Sequence, residues 1–481
     1  MPADDELCYA SATNLLQRFA SREVSPVEVL EAQLVRADEV NDRLNCITHR
    51  YLDQAFEAAR IAERRYANGT ARALEGLTVG VKDEHGLEGW TVTQGSRLCE
   101  TETLSESEPV AQRLADAGAI MPFQTTVPEF YLAAVTWTEL WGVTRNPWNL
   151  RYAVGGSSGG SGAALAAGMC TLATGSDMGG SIRIPCAFNG LYGFKPPYGR
   201  VPTTTDPFLH IASAGPLART LTDVARMENV ISGPHPYAPT AIAPKVEIPL
   251  DPPSIEGVRI AYSPDQSWAV VDPEVRQNTE AALDVLRAAG AEVSEVDLAL
   301  EVTDSDISQA FAEAALFGPM GAQLASIGDR DKLTTYARYF CEKAEGGFGP
   351  AEALAFEQNM LEGTRRIHDR VYAQGFDALV MPTLTTSHIP ADHDYTTDRT
   401  VVDGTEVNSL SGWILTPLFN LLYTVPVIAA PTGLTSQNVP TSMQIAGRPY
   451  DDLTPFRIAA AYERIAPPMF TGDRVPDFRS G

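Results

Sequence analysis

Two glycine-rich stretches set the character of this sequence, Gly155-Gly156-Ser157-Ser158-Gly159-Gly160-Ser161-Gly162 and Gly175-Ser176-Asp177-Met178-Gly179-Gly180-Ser181-Ile182-Arg183-Ile184-Pro185. Glycine lets the backbone approach a ligand closely, and the first stretch continues into small residues, 163–168, that allow tight helix packing. The first stretch lacks the Gly-Lys-Ser/Thr ending of a P-loop and the order of a dinucleotide-binding turn, which disfavours a nucleotide site. In the second stretch, two adjacent glycines leave backbone N–H groups unobstructed beside a serine. This arrangement indicates an oxyanion hole around a nucleophile.

The sequence around these stretches alternates between strand and helix patterns. Apolar residues alternate along 77–81 and predict a strand that ends in Lys82. Ser25 and Glu28 form a capping box, which predicts an N-terminal helix over about 25–45. Two further helices, 109–117 and 273–289, each end at a glycine that a strand follows. The alternation predicts an α/β protein with helices on both faces of a sheet.

The order of these patterns favours a single domain over residues 1–481, with the core that contains the glycine-rich stretches at about 75–230. Seven prolines between 231 and 257 predict an extended surface connection, after which a strand resumes at 258–262. Residues of about 304–374 turn mostly helical, and they either build a pocket wall or cover one sheet face. The uncharged stretch 413–431 is interrupted by prolines, which predicts a buried helix and a buried strand instead of a membrane span.

Charge and composition exclude several classes of protein. The 481 residues carry 36 Lys and Arg against 61 Asp and Glu, a net charge of −25, so the basic surface of a nucleic-acid-binding protein is missing. Hydrophobic residues make up 44%, enough for a large core. Six scattered cysteines without a Cys-x-x-Cys pair disfavour a zinc site or a disulfide framework. We expect a cytoplasmic protein without a secretory signal, a membrane partner, a metal or a cofactor, and a homodimer stays open.

Both glycine-rich stretches, Lys82 after its apolar strand, and the run 188–196 (Phe-Asn-Gly-Leu-Tyr-Gly-Phe-Lys-Pro) resemble the amidase signature hydrolases. This family includes fatty-acid amide hydrolase, malonamidase and the A-type amidotransferase subunit that makes glutaminyl-tRNA. The likeness continues in 141–148, 378–383, 431–433 and 444–449. The resemblance implies a large mixed, twisted β-sheet between helical layers. It also implies a cofactor-independent amidase that releases an amine or ammonia.

The resemblance assigns a role to each polar residue of the motifs. Ser181 would be the nucleophile that forms an acyl-enzyme, Ser157 a bridging serine with a cis peptide that relays the proton, and Lys82 the base. A lysine serves as a base only when neutral, and moving its pKa from about 10.4 to near 7.5 requires roughly 4 kcal/mol. The backbone N–H groups that would bind the oxyanion belong to Met178, Gly179, Gly180 and Ser181. The residues that would fix the loop are Ser158, Asp177 and Arg183.

Departures from the family pattern bear on the substrate. Val154, 124–126 (Gln-Thr-Thr) and Met178 replace common family residues near the oxyanion loop. The A-type amidotransferase subunits typically have Arg-Gln-Pro at 183–185 and Ser-Ser-Leu-Asp-Gln after the second motif, and this chain has neither. We therefore rank a free-standing hydrolase above the subunit, while aryl, fatty and peptide amides, carbamates and esters remain open as small-molecule substrates.

Other residue types offer rival sites. His85 lies close to Lys82 in sequence and is a rival base, but no serine motif surrounds it. His388 and His393 lie near Asp392 and Asp394 in a Pro/Thr/Asp-rich loop, where solvation explains them better than a metal. Six aromatic residues are candidate pocket linings, although most such residues belong to a core: Phe130, Tyr131, Trp137, Trp141, Phe208 and Trp413.

Overall fold

The computed structural model describes residues 4–204, 209–300, 319–345 and 350–478. Its strands, numbered in chain order, are β1 (Ile47–Arg50), β2 (Thr78–Lys82), β3 (Ile120–Thr125), β4 (Trp137–Thr138), β5 (Gly142–Val143), β6 (Leu172–Asp177), β7 (Tyr192–Lys195), β8 (Ser213–Ala218), β9 (Arg259–Tyr262), β10 (Glu292–Glu295), β11 (Ala378–Pro382), β12 (Thr400–Val402), β13 (Thr405–Val407), β14 (Val427–Leu434) and β15 (Pro440–Ala446).

The α-helices of the described residues are Asp5–Tyr9, Ala12–Ser21, Pro26–Leu44, Leu52–Ala67, Pro109–Asp116, Gly159–Ala166, Arg183–Asn189, Leu221–Ile231, Pro273–Ala288, Pro319–Ser326, Thr335–Glu345, Pro350–Arg370, Leu418–Leu421 and Leu453–Glu463. Short 3₁₀ turns occur at Glu129–Tyr131, Arg330–Lys332 and Tyr372–Gln374. The capping box of Ser25 and Glu28 is formed at the start of Pro26–Leu44.

Eleven strands form one mixed sheet in the order β1-β3-β2-β6-β8-β7-β14-β15-β11-β9-β10. The pairs β3–β2, β2–β6, β11–β9 and β9–β10 are parallel, and the other neighbours are antiparallel. Two hairpins, β4–β5 and β12–β13, lie outside this sheet. Lys82 and Asp177 end the neighbouring parallel strands β2 and β6, so both residues lie at the same edge of the sheet.

Helices cover both faces of the large sheet. In β14, Ile428 and Ala430 pack into one core while Ala429 packs into another, because successive strand residues point to opposite faces. Helices Leu221–Ile231 and Pro273–Ala288 contribute to the first core, and Gly159–Ala166 contributes to the second. The predicted fold class, a mixed sheet between helical layers, is therefore confirmed.

The structure gives the outcome for three predicted segments: the strand that ends in Lys82, the proline-rich connection and the uncharged stretch 413–431. Every residue of β2 is buried, so Lys82 ends a strand that is covered on both faces. The proline-rich connection contains no helix or strand, but Ile248 and Ile255 are buried, so part of it is held against the core. Within 413–431, a four-residue buried helix, Leu418–Leu421, precedes β14, as expected. Residues 301–318 and 346–349 of the helical region lie outside the described residues. Among the described helices, none is both long and apolar enough to cross a bilayer.

Candidate active site

Lys82 reaches into a buried cluster of polar side chains at the end of β2. Its side chain has no exposed surface. The ammonium nitrogen Nζ lies 2.8 Å from Ser157 Oγ, 2.7 Å from Ser176 Oγ and 2.9 Å from Glu84 Oε2. It also lies 5.0 Å from the centre of the Tyr131 ring. Strand β2 therefore brings Lys82 into hydrogen-bond contact with Ser157, one of the two serines that the sequence predicts to be catalytic.

Ser157 lies in the turn before helix Gly159–Ala166, and the Gly156–Ser157 peptide bond is cis. The helix passes so close to the end of β3 that a Cβ on Gly160 would lie 2.7 Å from the carbonyl oxygen of Thr126. The N–H of Ser158 donates to the carbonyl oxygen of Ser181 at 3.3 Å, and the N–H of Ser176 donates to Ser158 Oγ at 3.4 Å. These contacts hold the two glycine-rich stretches side by side.

Asp177 and Arg183 form a two-point ion pair without exposed side-chain surface. Arg183 Nε and Nη2 each lie 2.9 Å from one carboxylate oxygen of Asp177. Burial alone would raise the pKa of Asp177, but the charge and hydrogen bonds of Arg183, with a further bond from Asn420, lower it to about 2. The other N–H groups of Arg183 donate to the carbonyl oxygen of Thr416, Gln444 Oε1 and Asn420 Oδ1. The loop of the second stretch is thus fixed by buried charge-assisted bonds.

The loop from Met178 to Ser181 connects β6 to helix Arg183–Asn189. Among the described residues, the backbone N–H groups of Met178, Gly179 and Ser181 have no hydrogen-bond acceptor, and the Ser181 hydroxyl has no partner. The N–H of Gly180 donates to Asp177 Oδ1 at 2.8 Å. The structure differs here from the expectation of four oxyanion donors, because the carboxylate that fixes the loop already holds the Gly180 amide.

Two cavities adjoin this cluster, and the Tyr131 side chain lines both. The smaller, of about 40 Å³, contains Ser181 and is otherwise largely apolar, with Leu132, Ile184 and Phe340 in its wall. The larger, of about 300 Å³, is lined by Glu84 and Ser176 among others. The described part of the helical region contributes Phe340 to the smaller cavity and Met320 and Gln323 to the larger.

The electrostatics of the cluster favour a neutral lysine only in part. Burial lowers the pKa of Lys82, because the charged ammonium loses its hydration. Glu84 opposes this effect by its charge and its hydrogen bond, and Asp177 adds a weaker attraction. Burial would raise the pKa of Glu84, but Lys82, His85 and the Ser176 hydroxyl outweigh that effect and hold the pKa below its usual range.

Most aromatic candidates belong to the core and do not line the two cavities. Phe130 and Trp413 are buried, and the Trp413 indole N–H donates to the carbonyl oxygen of Ser409. The indole N–H groups of Trp137 and Trp141 donate to the carbonyl oxygen of His393 and to Thr93 Oγ1. Phe208 lies outside the described residues. Tyr131 therefore remains the candidate that faces both cavities.

The histidines take other positions. His85 is buried beside the larger cavity, with Nδ1 3.3 Å from Thr174 Oγ1, and burial lowers its pKa. The prediction of a solvated loop is wrong for His393, because this residue is buried next to Ser409 and Thr400. His388 lies close to the carboxylate of Asp272. In the described ranges, no three His, Cys, Asp or Glu side chains are grouped so as to hold a metal.

Sequence reasoning missed Glu84 and Ser176 as members of the cluster. After β2 the chain turns sharply, since the N–H groups of Glu84 and His85 both donate to the carbonyl oxygen of Lys82. This turn folds the Glu84 carboxylate back toward the lysine it follows by two positions. Ser176 directly precedes Asp177 in the second stretch, and that adjacency was its only signal.

Comparisons with known proteins agree with this fold. The family model for amidases matches residues 28–454. An acylamidase of Rhodococcus erythropolis is 30% identical over 476 residues, 96% of this chain and 97% of the relative. The A-type subunit of glutamyl-tRNA(Gln) amidotransferase from Synechococcus sp. (strain CC9605) is 31% identical over 490 residues, 94% of this chain and 95% of the relative. The crystal structure of a bacterial aryl acylamidase of the amidase signature family superposes with a TM-score of 0.88 and 26% identity, over 95% of this chain and 96% of the other.

The fold, the polar cluster and these matches define the class of protein. The chain is an enzyme, a hydrolase of amide carbon–nitrogen bonds. It belongs to the amidase signature family, as the motifs of its sequence predicted.

Proposed function

We propose that this amidase acts through an acyl-enzyme on Ser181, with Lys82 as the base and Ser157 as the proton relay. The observation that carries the proposal is the 2.8 Å contact between Lys82 Nζ and Ser157 Oγ in a site where Lys82 is wholly buried. The hydrogen bond from the Ser158 N–H to the Ser181 carbonyl oxygen supports the proposal, because Ser158 directly follows Ser157 in the chain. A serine with a lysine base is a known alternative to a serine with histidine.

The reaction balances without a cofactor. Neutral Lys82 takes the proton of Ser157 as Ser157 takes that of Ser181, and Ser181 Oγ bonds to the substrate carbonyl carbon. For this step the Ser181 hydroxyl, which has no hydrogen-bond partner among the described residues, has to turn toward Ser157 when substrate binds. The free N–H groups of Met178, Gly179 and Ser181 stabilise the negative oxygen of the tetrahedral intermediate. The carbon–nitrogen bond then breaks as the proton returns through Ser157 to the leaving nitrogen. Water, deprotonated along the same relay, releases the acid from Ser181.

We propose an N-acyl amide as the substrate class. The support is twofold: an acylamidase is similar to this chain in sequence and an aryl acylamidase in structure, and the cavity at Ser181 is largely apolar. The larger cavity, of about 300 Å³, has room for the second half of such a molecule. Carbamates and aryl esters fit the same chemistry and serve as comparison substrates.

The test is covalent labelling of the purified single chain by a fluorophosphonate, read out by mass spectrometry of the modified peptide. We expect the label on Ser181, loss of amide hydrolysis in proportion to labelling, and no label in Ser181→Ala or in heat-denatured protein. Modification of another residue in active protein would contradict the assignment. A labelled chain that hydrolyses no amide alone would instead favour an amidotransferase component that requires its complex.

A further inference from the structure

The ammonium group of Lys82 is surrounded by three oxygen atoms, and they do not have equal roles. Ser157 Oγ, Ser176 Oγ and Glu84 Oε2 lie within 2.7–2.9 Å of Nζ. A charged lysine has three N–H bonds, one for each oxygen. A neutral lysine has two N–H bonds and one lone pair, so one of the three contacts must reverse.

The hydroxyl of Ser176 decides which contact reverses. It donates its proton to Glu84 Oε2 at 2.6 Å, so it can only accept from Lys82. Glu84, as a carboxylate, can also only accept. Ser157 is therefore the one neighbour that can donate to the lysine.

We propose that Glu84 is a positioning residue for Lys82: with Ser176 it binds the two N–H groups of the neutral amine and so aims the remaining lone pair at Ser157. The inference rests on the proposed function of Lys82 as base. Glu84 acts through the lysine: among the described residues, its carboxylate contacts Lys82 and Ser176, and no hydrogen bond joins it to Ser157 or Ser181. Its side chain is 28% exposed, and Glu84 is one of the residues that line the larger cavity.

The charge of Glu84 has a second, separable effect. The charged or titratable groups that act on Lys82 are Glu84, Asp177 at the end of β6 and His85. The Tyr131 ring lies beside its ammonium group, and Asp83 is the next residue in the chain. Asp83 is held by Thr93, and Asp177 by Arg183. Glu84 is the nearest anion, and its attraction keeps the pKa of Lys82 higher than burial alone would set it.

The test is the pH profile of kcat/KM for amide hydrolysis in Glu84→Gln. Because Lys82 must be neutral to act, the acid limb follows its pKa, and loss of the anion should move that limb to lower pH by about 1–3 units. The plateau should fall much less than in variants that remove the acceptor, because the amide oxygen of glutamine can still accept from Lys82 and Ser176. The matched control is Glu88→Gln, the same change on an exposed side chain of the same loop, which should reproduce the wild-type profile.

Two further variants separate orientation from charge. Glu84→Asp keeps the negative charge but shortens the side chain. The acid limb of its pH profile should therefore stay near the wild-type pH, while the plateau of kcat/KM falls. Ser176→Ala removes an acceptor without changing charge and should also lower the plateau alone. A Glu84→Gln profile that coincides with wild type, or moves to higher pH, overturns the proposal. If Glu84→Gln does not fold, a wild-type plateau in Ser176→Ala overturns it instead.

Lys82→Ala, measured beside these variants, distinguishes a failure of the proposed base Lys82 from a failure of the positioning role of Glu84. Full activity in Lys82→Ala would overturn the proposed function itself. Loss of activity in Lys82→Ala together with a wild-type profile in Glu84→Gln would overturn the role of Glu84 alone.

Discussion

At the scale of the residue, Lys82 is held by opposing effects. Burial removes the hydration of its ammonium group and lowers its pKa, while Glu84 at 2.9 Å restores part of the lost stabilisation. Removal of either effect alone would leave a lysine that is too basic or one that points away from Ser157. The proposed role of Lys82 as a base depends on this balance.

Lys82→Ala should impair amide hydrolysis more than ester hydrolysis. Deprotonation of Ser181 is needed for any acyl substrate, but the nitrogen of an amide also needs a proton to leave, whereas a phenolate does not. General acid–base assistance is typically worth about 10²–10⁴-fold, so the amide-to-ester rate ratio should fall at least tenfold. The measurement uses one acyl group with both leaving groups, under conditions where acylation limits the rate.

The control for this measurement is Lys332→Ala, in which an exposed lysine is removed by the same change. Equal losses for amide and ester in Lys82→Ala would show that the lysine does not protonate the leaving group. Unchanged rates for both would exclude it from catalysis.

At the scale of the element, helix Gly159–Ala166 determines where the preceding Ser157 lies relative to Lys82. All of its residues are buried, and its first turn lies against the end of β3. Small residues are needed here because larger ones would push the helix and the preceding Ser157 away from Lys82. The same small side chains in an exposed helix would meet no such constraint.

Gly160→Ala should therefore destabilise the protein although alanine is the better helix former. Its Cβ would lie 2.7 Å from the Thr126 carbonyl oxygen, and overpacking of this kind costs about 1–3 kcal/mol. The free energy of unfolding, measured by denaturant titration, checks this. Gly363→Ala in helix Pro350–Arg370 is the matched control. Among the described residues its Cβ would meet Leu422 alone, at 4.0 Å, so this variant should gain about 0.5–1 kcal/mol. Equal effects of the two substitutions would contradict the packing argument.

At the scale of the whole molecule, several carboxyl groups are buried by the helices that cover the sheet. Burial raises the pKa of Asp83 to about 6 and that of Glu463 to about 7, and it raises the pKa of Glu228 as well. A carboxyl whose pKa is raised in the folded state binds its proton more tightly there than in the unfolded chain. Its stabilising contribution is complete below the unfolded pKa and is lost as the pH rises through the folded one.

Glu463→Gln should make the stability of the protein less dependent on pH. Glu463 ends helix Leu453–Glu463 and accepts the Leu221 N–H at 2.8 Å, a bond that a glutamine oxygen can also accept. Between about pH 4.5 and pH 7 the wild type should lose roughly 3 kcal/mol through this group, and the variant should not. Unfolding free energies at pH 5 and pH 8 measure the difference, with the exposed Glu406→Gln as control. Identical pH dependence in wild type and Glu463→Gln would contradict it.

The sequence alone determined the fold class, the family and the set of motif residues. Glycine stretches, apolar alternation and helix caps are local signals, and each is readable within about ten residues because the backbone and its nearest neighbours produce it. The assignment of Lys82, Ser157 and Ser181 to one site came from the family resemblance, and their catalytic roles remain predictions. Local signals could not show that the Gly180 amide would be taken by Asp177.

Tertiary structure alone decided what surrounds these residues. Arg183 donates hydrogen bonds to Thr416, Asn420 and Gln444, which lie 233 to 261 residues further along the chain. No local sequence pattern predicts these contacts. The fold also selected Tyr131 among the aromatic candidates and brought Glu84 and Ser176 to Lys82. Burial, charge and hydrogen-bond direction depend on which elements meet in space, so they set the pKa and the aim of Lys82 only once the sheet and its helices are assembled.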